Sequence, residues 1–131
     1  MVLNHHLACR LEDFLEPRSF QLNSLPQFIL DECKKYAHQF PNQECCAIIT
    51  KQNNNLNFKP CENIHPDKQG FFAINPEEFI YNDVAYVFHT HWNGPCRPSS
   101  FDKKSSDELC VPFLIYSLID DRFFLYENIS V

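Results

Sequence analysis

The sequence predicts an α/β domain in which helices and strands alternate along one chain. Three observations carry that reading. Apolar residues recur at helical spacing between Leu25 and Phe40. Two strand-turn-strand patterns centre on Asn53-Asn54-Asn55 and Asp120-Asp121. Between them stands a β-branched and aromatic run, Val84-Ala85-Tyr86-Val87-Phe88, with the content of a buried strand. The chain has 131 residues, a common size for one domain, and its 44% hydrophobic residues, 13 Phe among them, suffice for a sizeable core. One domain over residues 1–131 is therefore expected.

The elements follow in order. Residues 1–23 show no clean period and read as an N-terminal arm or edge strand. Leu25, Phe28, Ile29, Cys33, Tyr36, Ala37 and Phe40 mark a core-facing helix, with Pro26 acceptable in its first turn and Pro41 ending it. Cys45 to Thr50 and Leu56 to Pro60 form a hairpin around the Asn turn. A connection through Cys61-Glu62-Asn63-Ile64-His65 and Gly70 to Pro76 leads to a short helix over 76–82. The strand from Val84 then runs into His89-Thr90-His91. After Pro98-Ser99 a polar helix covers Ser100 to Cys110, and Pro112 to Ile119 with Arg122 to Glu127 make a closing hairpin.

The chemistry concentrates in His89 to Asp102, where two imidazoles, a hydroxyl and a carboxylate stand at the spacing H-x-H-x7-S-x-x-D. In a strand, residues two apart leave the backbone on one side, so His89 and His91 can meet one ion. Ser99 is placed as a helix N-cap with Asp102 three residues on, which aims the carboxylate back toward the strand end. Two His and one Asp make three protein ligands, and catalytic zinc keeps its fourth position open. A rival arrangement adds Cys96, which lies between His91 and Asp102, to give a closed structural site of His, His, Cys and Asp. Upstream, Glu44 opens an apolar strand; a carboxylate beside an ion can take and return a proton.

These residues resemble the signature of the JAMM (MPN+/JAB) metallopeptidase family, an upstream Glu followed by H-S/T-H, seven residues and S-x-x-D. Glu44-Cys45-Cys46-Ala47-Ile48-Ile49 is similar to the segment that carries the family's Glu, and the connection from Cys61 to Pro76 is similar to the family's as well. The resemblance implies a cytidine-deaminase-like JAMM/MPN fold, a curved mixed sheet flanked by helices. It also implies one zinc ion (Zn2+) per chain held by His89, His91 and Asp102, with Glu44 as general base and Ser99 as donor to the oxyanion. Two positions depart from the pattern: Trp92 stands where Pro is usual and Ala47 where Gly is usual. Trp92 becomes a candidate substrate-binding residue of the cleft wall. The compact form most resembles the JAMM portion of the tail-assembly protein K family of tailed phages and related bacterial peptidases, in which a Cys and a Pro, here Cys110 and Pro112, precede the final hairpin.

The function so implied is zinc-dependent hydrolysis of a peptide or isopeptide amide. Its partner is a phage tail protein or a ubiquitin-like sulfur-carrier protein. The alternatives are an inactive scaffold of the same fold and the closed zinc site with Cys96. The net charge of −6 comes with no basic stripe, which excludes nucleic acid as an expected partner. No run approaches the ~18 to 20 apolar residues of a membrane span, and Met1 to His6 lack the flanks of a signal peptide. Seven cysteines, at 9, 33, 45, 46, 61, 96 and 110, form no C-x-x-C pair and read mostly as small buried hydrophobes. A reducing cytoplasm, or a virion if the chain is phage-derived, is the expected location. His5, His6, His38 and His65 read as exposed histidines.

Overall fold

A computed structural model of the chain describes residues 25–128. The expected arm or edge strand over 1–23, with His5, His6 and Cys9, lies outside the described residues.

Helix α1 spans Gln27–Ala37, with Pro26 in the extended N-cap position, one residue ahead of the place expected for it. Its buried stripe is Ile29, Cys33 and Ala37, spaced by one helical turn each, with Leu25 just before the helix. Phe28, expected on that stripe, is instead 55% exposed. It precedes Ile29 by one position, about 100° around the helix, and the stripe is too narrow to include it. The helix stops at Ala37, and Phe40 packs against the core from the following turn.

Strands β1 (Cys46–Gln52) and β2 (Asn55–Cys61) pair antiparallel, with Gln52 opposite Asn55. The two residues between them, Asn53 and Asn54, have φ of 52° and 66°. A two-residue hairpin loop of this kind needs left-handed backbone at both positions, and Asn tolerates it better than most side chains. Helix α2 (Glu77–Tyr81) leads to β3 (Val84–His91); helix α3 (Ser100–Leu109) then leads to β4 (Phe113–Ser117) and β5 (Arg122–Tyr126).

The five strands form one mixed sheet in the order β2-β1-β3-β4-β5. Every pair is antiparallel except β3 with β4. A parallel pair needs a crossover, and α3 supplies it. Side chains alternate between the sheet's two faces. Ala47, Ile49, Phe88, Leu114, Tyr116 and Leu125 join α1 in one core. Val87, Phe113, Ile115, Phe124 and Tyr126 face the other way, under Phe72, Ile74 and Phe79. Each Ile, Leu or Phe fully buried in this way contributes roughly 1.5–3 kcal/mol. Alternation along β3 puts His89 and His91 on the second face, with Val87.

Cys33, Cys45, Cys46 and Cys61 are buried and free, Cys96 is half-buried, and Cys110 is exposed at the left-handed C-cap of α3. No helix among the described residues is long and apolar enough to cross a membrane.

Candidate metal centre

The site begins with the pairing of β1 and β3. Cys46 lies opposite His89 in the antiparallel register. The middle residue of the His-Thr-His run continues that pairing. Thr90 donates its amide to the Cys45 carbonyl at 3.1 Å, while its hydroxyl oxygen accepts from the Cys45 amide at 3.0 Å. Thr90 thus points away from the two imidazoles and ties down the residue after Glu44. Glu44 is brought to the same end of the sheet as His91.

Asp102 arrives from α3 through the cap that the sequence predicts. Ser99 Oγ accepts from the Asp102 amide at 3.0 Å and the Ser99 amide donates to Asp102 Oδ2 at 3.0 Å, a reciprocal capping box. The box fixes the carboxylate between the histidines. Asp102 Oδ1 lies 3.2 Å from His89 Nε2 and Oδ2 lies 3.1 Å from His91 Nε2. Donor atoms of all three residues lie within 4.8 Å of one another. No other such group of three occurs among the described residues.

The arrangement suits a cation. His91 Nδ1 sits 2.7 Å from the Pro95 carbonyl, which can only accept, so that nitrogen carries the hydrogen. Nε2 is then left with a lone pair aimed at a carboxylate. Two acceptors 3.1 Å apart require a proton or a metal ion between them. His89 makes the stronger case: its side chain is 0% exposed, its Nδ1 has no hydrogen-bond partner, and its Nε2 faces the Asp102 carboxylate at 3.2 Å. A buried imidazole so sparsely paired is costly, and a metal ion between Nε2 and the carboxylate would satisfy that nitrogen. Tetrahedral zinc with bonds of ~2.0–2.1 Å sets its ligand atoms roughly 3.3 Å apart, close to the distances seen.

The charges follow from this crowding. Burial alone would raise the Asp102 pKa, but His89, His91 and the Ser99 amide outweigh it and hold the carboxyl well below the usual range. Burial opposes protonation of His91, but Asp102, the Pro95 carbonyl and Glu44 prevail and raise its pKa. Burial pushes Glu44 up to about 8, although His91 pulls it down in part. A bound dication would lower the Glu44 value and favour its charged form.

Glu44, His91, Ser99 and Asp102 line one cleft of about 190 Å³, walled by Gly70, Phe71, Phe72 and Phe101. The structure therefore brings together five of the residues singled out in sequence, counting His89, which is buried against Asp102 and Phe72. Two others stand elsewhere. Cys96 is outside the group of metal-competent atoms and packs beside the apolar cluster of Val87 and Phe113. Trp92 is outside the cleft lining. Its indole N–H donates to the Gln69 carbonyl at 2.8 Å, which pins the loop that carries Gly70 and Phe71. His65 is half-buried rather than exposed; its ring stacks on Phe71 at 5.0 Å and its Nδ1 accepts from the Asp67 amide.

Sequence reasoning missed two positioning residues. Asn63, 5% exposed, donates to the carbonyls of Glu44 and Phe71 and accepts from the amides of His65 and Ala73. Phe72 stacks on the His89 ring with centroids 4.3 Å apart. Neither position has a local signal: Asn63 stands among other polar residues of the connection, Glu62, His65, Asp67, Lys68 and Gln69, and Phe72 among apolar ones.

Comparison with known proteins bears on this geometry. The chain matches no protein-family model. It is similar to Tail tip assembly protein K of Escherichia phage N15, at 26% identity over 85 residues. That match covers 62% of this chain and 35% of the phage protein, so the chain spans about a third of its relative's length. The chain also resembles a Desulfitobacterium hafniense protein solved in solution. The TM-score is 0.57 at 20% identity, covering 74% of this chain and 76% of the other. At that identity the likeness is one of fold. A distant relationship to a phage tail-assembly protein is thus combined with a His, His, Asp group able to hold a metal ion.

Proposed function

We propose that this chain is a zinc-dependent peptidase of the JAMM type that hydrolyses a peptide or isopeptide amide during phage tail assembly. One observation carries the reading: three metal-competent side chains converge beside a cleft whose lining includes a half-buried carboxylate, Glu44, and a hydroxyl, Ser99. The H-x-H-x7-S-x-x-D spacing, the mixed sheet flanked by helices and the similarity to Tail tip assembly protein K support it.

His89, His91 and Asp102 would hold the ion. Zinc so held supplies a Lewis acid and lowers the pKa of water from ~15.7 toward ~7. The protein's own groups do the rest. Glu44 takes a proton from the attacking water and returns it to the departing nitrogen. Ser99 Oγ accepts from the Asp102 amide, so its own hydrogen is left to donate to the oxygen that gains charge. The Pro95 carbonyl keeps His91 in the tautomer that offers Nε2 to the ion. Phe71, Phe72 and Phe101 narrow the cleft and limit water.

The test is cleavage by zinc-loaded protein of three probe classes: phage tail proteins, sulfur-carrier fusions and cell-wall peptides. The reading expects cleavage of a tail protein. It also expects a Glu44→Gln variant that keeps its zinc and loses at least ~10²-fold in turnover. A fully loaded protein that cuts none of the three overturns the hydrolytic reading. Near-normal activity of Glu44→Gln places the base elsewhere.

A further inference from the structure

Beside the cleft, on the same face of the sheet, lies a second depression of about 220 Å³. We propose that it is a specificity pocket for a single uncharged, apolar side chain of the polypeptide substrate, a claim that rests on the hydrolytic reading above. Its floor is Val87 on β3, two residues before His89, and Phe113 on β4. Its walls are the connection before α2 and one face of α3, where Phe101, Ser105 and Leu109 follow at intervals of four.

Continuity ties this pocket to the metal-competent group. Phe72 and Phe101 line both depressions. The Phe72 ring stacks on His89 at 4.3 Å, and the Phe113 ring meets His89 edge-on at 5.5 Å. A chain whose amide lies over His89 and His91 therefore has the pocket within reach of a side chain close to that amide.

Size and polarity fix the occupant. A dry apolar cavity of about 150 Å³ accepts a benzene ring, so a pocket of about 220 Å³ accepts one leucine or phenylalanine side chain. Ser105 is the one polar residue in the lining, and no charged side chain contributes to it. An ammonium, guanidinium or carboxylate placed there would lose its water without gaining a partner. The pocket thus selects against Lys, Arg, Asp and Glu. Phe101 and Leu109 form its rim and are 48% and 44% exposed, so the entrance is open to solvent.

Binding is tested first without metal or turnover. Metal-free protein is titrated by NMR with the N-acetyl amides of leucine, phenylalanine, lysine and glutamate. The leucine and phenylalanine probes should shift the methyl signals of Ile74, Val87 and Leu109, and the charged probes should not. Ser105→Arg, which places a long cation across the groove, should abolish those shifts while the remaining spectrum and the zinc stoichiometry stay unchanged. No shift in wild type, or equal shifts from all four probes, overturns the pocket.

Zinc-loaded protein is then given a mixed peptide pool and the cut sites are sequenced. An apolar residue should recur at one fixed position beside the cuts, and Ser105→Arg should relax that preference about tenfold. Cuts without such a preference overturn the pocket and leave hydrolysis standing. Probe shifts with no cuts in the pool or in any of the three probe classes above support the apolar site and remove the hydrolytic reading.

Discussion

Asn63 holds the main chain of Glu44: its Nδ2 donates to the Glu44 carbonyl at 2.9 Å and to the Phe71 carbonyl at 3.0 Å. Its Oδ1 accepts from the amides of His65 at 3.0 Å and Ala73 at 3.1 Å. All four hydrogen-bonding positions of the side chain are used, and they join the candidate base to the loop that walls the cleft. Asn63→Leu fills the same space but leaves four backbone groups to find other partners. Urea denaturation should show a loss of about 1–3 kcal/mol, with zinc stoichiometry kept. A change within about 0.5 kcal/mol, usual for surface positions, would show that this network is not structural.

Ser99 has two duties that one pair of variants separates. As N-cap of α3 it accepts from the Asp102 amide. Ser99→Ala should cost about 1 kcal/mol and Ser99→Gly only a few tenths. Both remove the hydroxyl donor, so both should lose about 10²- to 10³-fold in turnover on an identified substrate. If Ser99→Gly folds as wild type and cleaves as wild type, the hydroxyl has no part in the chemistry.

Glu44 should leave a mark on stability even without metal. Burial raises its pKa from 4.5 to about 8 in the folded chain. Between those values the folded form keeps a proton that the unfolded form has released. The unfolded state then binds fewer protons, so stability falls as pH rises from about 4.5 to about 8 and levels beyond. His91, whose pKa is also raised, adds a loss of the same sign as pH climbs through its folded value. The readout is therefore the difference between variants. In metal-free protein, thermal unfolding across this range should be less pH-dependent for Glu44→Gln than for wild type. Identical slopes would place Glu44 in water rather than in the cleft.

Much of the site could be read in sequence because its rules are local. His89 and His91 share a face because strand side chains alternate, and Ser99 with Asp102 is a cap signature four residues long. The first hairpin turns at Asn53-Asn54, inside the expected Asn53-Asn54-Asn55, while the second turns over 118–121, so that Leu118 and Ile119 leave the strand expected to hold them. What stayed hidden depends on residues distant in sequence. Trp92 looked like cleft wall until the loop at Gln69 came to rest beneath its indole. Phe28 matched the helical period, yet the core extends round α1 from Ile29 toward Leu30 and not toward Phe28. The parallel seating of β4 on β3, which opens the groove over Val87 and Phe113, is a matter of strand order that periodicity does not encode.

Zinc K-edge X-ray absorption on zinc-loaded protein tests the central claim most directly, since it counts the atoms around the ion by element. The account predicts nitrogen and oxygen neighbours alone at roughly 2.0–2.2 Å, with the outer-shell pattern of two imidazoles, from His89 and His91, beside the Asp102 carboxylate. A sulfur neighbour at ~2.3 Å that disappears in Cys96→Ser, or a shell without imidazole, would contradict it and make the site a closed structural one or no site at all.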